Sequence, residues 1–298
     1  MSLLFSLIIL ALLAAGGATS ATPATAVISP WFMAASASVF LCGLICDAYL
    51  LGRFTGCFQL KVSRKPWGLP ELGLAVAVCL GVLLFCNILY LGAGALLHKR
   101  PDKMMGLIIP VESLTRIGLL IGFAFFFRSR RINLRQSIGL DILPAGQALR
   151  WGIVFGCASL PPVLLINLAT DRISRLFHFQ PSEQDIALLF RTTDSTALLI
   201  TLTIFAVVLA PVFEEFLFRG FAYPALKQRI GPWPAMAIVS AVFALSHFHA
   251  PSLPALMLLA IGLVLAYELT GSLITPITMH AVFNGVMVLK LFYDRAHS

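Results

Sequence analysis

The chain has 298 residues, 59% of them hydrophobic and only 11% charged, with a mean hydropathy of +0.93. Soluble domains carry about 25% charged residues, so this composition excludes an ordinary soluble protein and reads as a polytopic membrane protein. The formal charge of +8 does not imply nucleic acid, because most Lys and Arg flank apolar runs, where they set membrane orientation.

Residues 3–15 are a short apolar run followed by small residues from Gly16 to Ala21. The pattern resembles a signal peptide but lacks the usual basic residue before it, so a retained first helix is the expectation. A Thr/Ala/Pro-rich linker leads to Pro30. Runs that meet the ~20-residue requirement for crossing a bilayer then predict spans at 31–51, 71–97, 105–127, 151–169, 196–218, 233–249, 253–269 and 272–291. The expected fold is all-α: a bundle of about eight spanning helices after an N-terminal apolar segment (1–30). Residues 31–195 form an N-terminal transmembrane region, 196–291 carry the chemistry, and 292–298 are a tail.

Trp31, Trp67, Trp151 and Trp233 lie near proposed ends, where interfacial aromatic anchors belong. The segment 171–194 is too polar to span and is either an interfacial helix or a loop. Cys42, Cys46, Cys57, Cys79, Cys86 and Cys157 show no CxxC and no zinc-ligand spacing, and read as small packing residues. Two basic loops, one with Arg53, Lys61, Arg64 and Lys65, the other with Arg128, Arg130, Arg131, Arg135 and Arg150, fall on one side with Lys227 and Arg229. By the positive-inside rule that side is cytoplasmic. The expectation is a multi-pass protein of the inner (plasma) membrane, with membrane lipid as its surroundings.

The polar residues inside apolar runs are the informative ones, since a charge at mid-membrane costs from ~2.5 to more than 10 kcal/mol. Glu214 and Glu215 are adjacent. Arg219 lies four residues after Glu215, on the same helical face and close enough to pair. Glu214 points ~100° away and is left over for chemistry. Phe243 and His247 share a face, as do His280 and Asn284. Hydrolysis of an amide needs a base for water, a proton path to the leaving amine and donors for the oxyanion. A buried Glu, a His and an Asn are suited to those tasks in turn. Glu112 and Arg116 form a separate self-neutralising pair, and Asp47 and Glu268 lie near segment ends, within reach of headgroups or loops.

Three ordered motifs, Glu214-Glu215-x-x-x-Arg219, Phe243-x-x-x-His247 and His280-x-x-x-Asn284, resemble those of the CPBP family. These are intramembrane glutamic endopeptidases related to CAAX prenyl proteases and to bacteriocin-processing or immunity (Abi-type) proteins. The resemblance covers the last third of the chain and implies a membrane-embedded site opening toward the cytoplasm. It implies Glu214 as the base that activates water, His247 as its assistant, His280 and Asn284 as the oxyanion site, and Glu215 and Arg219 as supports. The implied substrate is a membrane-associated peptide or protein, prenylated or not. One position departs: Pro251 stands where the prenyl-protease branch tends to carry Asn, which favours the bacterial-type branch.

No cofactor is expected. A zinc protease is the weaker alternative because no His-Glu-x-x-His is present. A proton-coupled transporter would explain the charges, but no internal repeat supports it. A non-catalytic immunity or interaction protein is the remaining alternative.

Overall fold

The computed structural model describes residues 30–54, 60–63, 65–97, 101–177 and 185–297. The N-terminal apolar run, with the expectation of a retained helix there, lies outside them, as do Cys57 and Arg64. Every regular element among the described residues is helical: α1 Pro30–Phe54, α2 Leu69–Leu97, α3 Pro101–Ser129, a short α4 Leu134–Ser137, α5 Ala145–Leu176 and α6 Asp185–Thr192. There follow α7, running over Thr196–Ile230, then α8 Pro232–Leu245, α9 Leu253–Thr270 and α10 Ile274–Ala296. Seven of these are long and apolar enough to cross a membrane. The protein is therefore an all-α, multi-pass membrane bundle.

The sixth expected span, 233–249, is shorter than its sequence suggests. Helix α8 has 14 residues, about 21 Å at 1.5 Å per residue, against ~30 Å of hydrocarbon. Gly231, at φ +83°, sets its start. At its end Ser246 Oγ donates to the carbonyl of Phe243, 2.8 Å away, and Phe248 takes φ +49°. The chain turns there, so His247 sits just past the helix rather than within it.

The fifth span is longer than expected. Instead of ending at 218, α7 continues to Ile230 across two widened π-helical stretches, Phe205–Leu209 and Phe216–Ala222. Each widening ends two residues before a proline. The N–H of Ala210 reaches back five residues to Phe205, ahead of Pro211; that of Tyr223 reaches Phe218, ahead of Pro224. A proline ring clashes with the carbonyl four residues back and offers no N–H. A local π turn relieves that clash without breaking the helix. Glu214 and Glu215 lie in the six-residue α-helical stretch Ala210–Glu215 between the two widenings, halfway along the span rather than at its end.

Helix α5 is the central post, packed against α1, α9 and α10. Glycines bring the backbones together, as small residues do in membrane bundles. A Cβ on Gly43 of α1 would stand 2.5 Å from the ring of Pro161 in α5. One on Gly152 would stand 2.3 Å from Thr278 Cβ of α10, and one on Gly156 would meet Val282. Substitution at any of the three would push a helix away from α5.

Trp67 is not an interfacial anchor. It is buried, stacked on Phe221 and tilted against Phe127, with its Nε1–H donated to the Phe221 carbonyl at 3.1 Å. Trp233 is exposed, as an anchor should be. Helix α6 lies beside the bundle, packed against α10: Phe190 is buried against Phe292, and Arg295 donates to the carbonyls of Phe190 and Thr193. Glu112 and Arg116 do pair, at 2.6 Å.

Glu268 reaches a loop, as one of its two expected destinations had it, but from full burial. Its carboxylate accepts from Tyr223 Oη at 2.6 Å, from Lys227 Nζ, and from the backbone N–H of Val62. Lys227 also donates to the Val62 carbonyl, and the Glu268 carbonyl accepts from Lys61 N–H. The segment before α2 is thereby tied across the ends of α7 and α9.

Candidate active site

The site is built where α7, α8 and α10 meet. Helix α7 presents two acidic side chains from consecutive residues. Glu215 is fully buried, and its Oε1 accepts from Arg219 Nη1 at 2.8 Å. Arg219, also fully buried, sends Nη2 to the Ala260 carbonyl of α9 at 3.2 Å and lays its guanidinium 4.5 Å from the Phe243 ring centre. Desolvating a charge is tolerable only with such partners. Each contact answers part of that demand, and the aromatic face adds a cation–π contribution.

The same Glu215 Oε1 lies 2.9 Å from His280 Nδ1. An ion-paired carboxylate carries no proton, so Nδ1–H is the donor and a neutral imidazole then presents a bare Nε2. That Nε2 is 4.0 Å from Glu214 Oε2. Glu214 retains 18% side-chain exposure, whereas His280 retains 4%. Two acceptors 4.0 Å apart leave room for one water about 2.8 Å from each.

Phe243 forms a wall between the two histidines, 4.8 Å from the His247 ring and 5.9 Å from the His280 ring. His247 Nδ1 lies 2.8 Å from the Phe243 carbonyl. A carbonyl can only accept, so here too Nδ1 carries the proton and neutral His247 presents a bare Nε2.

Asn284 is turned elsewhere. Its Nδ2 donates to the Ala206 carbonyl, 2.8 Å away in the first widened turn of α7. Ala210 N–H has gone to Phe205 and Pro211 has none, so that carbonyl lacks its usual backbone donors. The side chain of α10 supplies one. Of the expected residues, Glu214, Glu215, Arg219 and His280 are in direct or near contact, His247 joins through Phe243, and one amide hydrogen of Asn284 is engaged on backbone. Sequence reasoning missed Ala206 and Ala260, whose carbonyls are recognisable only in three dimensions. Pro211 was the available signal for the first.

A groove of about 500 Å³ lies beside the site rather than in it. It runs between α2 and α3, lined by Leu74, Val78, Leu119 and Phe123 among others, with Glu71 at its polar limit. Phe123 also packs against Phe216, the residue after Glu215, with ring centres 5.4 Å apart. Gly118 and Gly122 leave open space where side chains would stand.

Comparison with a family model locates a similarity over these same helices. A stretch of 95 residues is 36% identical to the uncharacterized protein YpbD of Bacillus subtilis (strain 168), covering 30% of this chain and 46% of that relative. The chain thus spans about half the length of the curated relative it matches. No solved structure matches it. Residues 196–286 match the family model described as type II CAAX prenyl endopeptidase Rce1-like. The match begins with α7 and ends within α10, so it includes every residue of the cluster. Over residues 196–286 this membrane protein matches the Rce1-like family model, a likeness consistent with the CAAX protease family.

Proposed function

We propose that the protein is an intramembrane endopeptidase that hydrolyses a peptide bond of a membrane-associated or lipidated peptide without a metal, using Glu214 as general base. The observation that carries this reading is the 4.0 Å gap between Glu214 Oε2 and His280 Nε2, with the imidazole fixed from behind by Glu215. A water donating one hydrogen to each keeps its lone pairs free for a carbonyl carbon. As it attacks, its proton passes to Glu214, the peptide oxygen becomes an oxyanion, and the proton is then delivered to the leaving amine. The products are a new carboxylate and a free amine.

His247, across Phe243, takes the assisting role: bare at Nε2, it receives the proton from Glu214 and hands it to the leaving amine. The geometry favours His280 as a holder of the water over the oxyanion role that the family resemblance implied. Asn284 has one remaining amide hydrogen for the oxyanion, while the other fixes α10 to α7. Glu215 and Arg219 position His280. The groove between α2 and α3 offers an apolar chain a berth next to Phe216. Under the positive-inside orientation the site is approached from the cytoplasmic side.

The test is cleavage of farnesylated and unmodified peptides by the purified full chain in liposomes, with products identified by mass spectrometry. Cleavage that Glu214→Gln abolishes supports the reading. Cleavage unchanged in that variant removes Glu214 from the mechanism, and inhibition by a chelator that added zinc reverses replaces it with metal chemistry.

A further inference from the structure

The cysteines were expected to be packing residues, yet three of them converge. Cys42 and Cys46 are one turn apart on α1, and Cys157 comes from α5. Their three Sγ atoms all lie within 4.8 Å of one another. Residues 115 positions apart are brought together by Gly43, which lies between the two α1 cysteines. A Cβ there would stand 2.6 Å from the Cys157 carbonyl and 2.5 Å from Pro161. The backbones are therefore in contact at the point where the thiols meet, and the cluster rests on two rigid helices.

We propose that Cys42, Cys46 and Cys157 form a three-sulfur site for a soft monovalent metal ion, copper(I), between α1 and α5. Thiolates bound at ~2.3 Å around a trigonal ion stand about 4 Å apart. Small side-chain rotations from the observed separations reach that spacing without moving a helix. Thiolate donors select soft ions such as copper(I) and zinc. Zinc in a structural site takes four ligands, and among the described residues no fourth His, Cys, Asp or Glu atom joins the group. Copper(I) is satisfied by two or three sulfurs. Each thiolate formed on binding releases its proton to solvent, and no electron is transferred.

The site is distinct from the acidic cluster, and both meet α5's neighbours: α1 bears two of the sulfurs, while Gly152 and Gly156 of α5 seat α10, which carries His280. Bound metal would clamp α1 to the post that supports the proposed active-site helix. Binding itself is independent of hydrolysis, so Glu214→Gln should bind copper as the unsubstituted protein does.

The experiment titrates reduced, full-length protein in detergent, under anaerobic conditions, with copper(I) buffered by bicinchoninate. The expected result is one copper(I) retained per chain, with an ultraviolet thiolate-to-copper band. Cys157→Ser should weaken retention by more than the about 10–100-fold attributed to loss of an outer-shell partner. Cys79→Ser and Cys86→Ser should leave it unchanged. If Cys157→Ser does not fold, Cys42→Ala, at an exposed position, provides the same comparison. Failure to retain stoichiometric copper(I), retention unaffected in Cys42→Ala, or stoichiometric zinc in its place would each overturn the proposal.

Discussion

One imidazole is clamped between two consecutive carboxylates: His280 Nδ1 lies 2.9 Å from Glu215 Oε1 while its Nε2 lies 4.0 Å from Glu214 Oε2. The buried acid fixes the ring and its proton, and the partly exposed acid faces the other nitrogen. Neighbouring residues on one helix thus act at opposite ends of a side chain from another.

Glu214 keeps 18% of its side chain exposed and stands 4.0 Å from its neighbour His280 Nε2, so Glu214→Gln should fold normally. Its activity should fall by at least the about 10²–10⁴-fold associated with a general base. The check is turnover beside a thermal melt in the same detergent; an unchanged melt with near-zero turnover is expected.

Glu215 and Arg219 behave differently. Truncating either leaves the other as an uncompensated buried charge, a loss of about 3–5 kcal/mol. Glu215→Ala and Arg219→Ala should therefore lower the unfolding midpoint in a denaturing-detergent titration. Arg219→Lys should not restore it fully, because one ammonium cannot reproduce both the Glu215 and Ala260 contacts at fixed geometry.

Asn284→Ala should orphan the Ala206 carbonyl and destabilise by about 1–3 kcal/mol. Adding Pro211→Ala returns a backbone N–H to α7 and should recover part of that stability. Activity offers a separate readout. A kcat defect that persists in the double variant assigns the second amide hydrogen to the oxyanion; recovery of both assigns Asn284 to helix positioning.

Filling the groove tests lipid recognition. Gly118→Leu would project into open space, so the fold should tolerate it. Under the proposed function, KM for a farnesylated peptide should rise while that for an unmodified peptide stays put. Equal effects on both would place the lipid elsewhere.

Glu268→Ala should release the segment around Val62, since it removes the acceptor shared by Tyr223, Lys227 and the Val62 N–H. Three groups lose their partner at once, and the expected destabilisation is again about 3–5 kcal/mol. Faster proteolysis between α1 and α2 would accompany it.

The amino-acid sequence by itself determined that the chain is a membrane helix bundle, because only helices satisfy every backbone group locally within lipid and apolar runs reveal them. It also determined which polar residues demand a reason, and that Glu215 pairs with Arg219, a contact made inside one helix at a spacing of four. The tertiary structure decided everything that depends on helices meeting. It turned His280 onto both glutamates, sent Asn284 to a carbonyl exposed by Pro211, carried α7 past its expected end through two π turns, stopped α8 short, and gathered Cys42, Cys46 and Cys157. Hydropathy is summed along a chain, whereas these contacts rest on close approach at glycines and on backbone groups freed by prolines, which act between segments far apart in sequence.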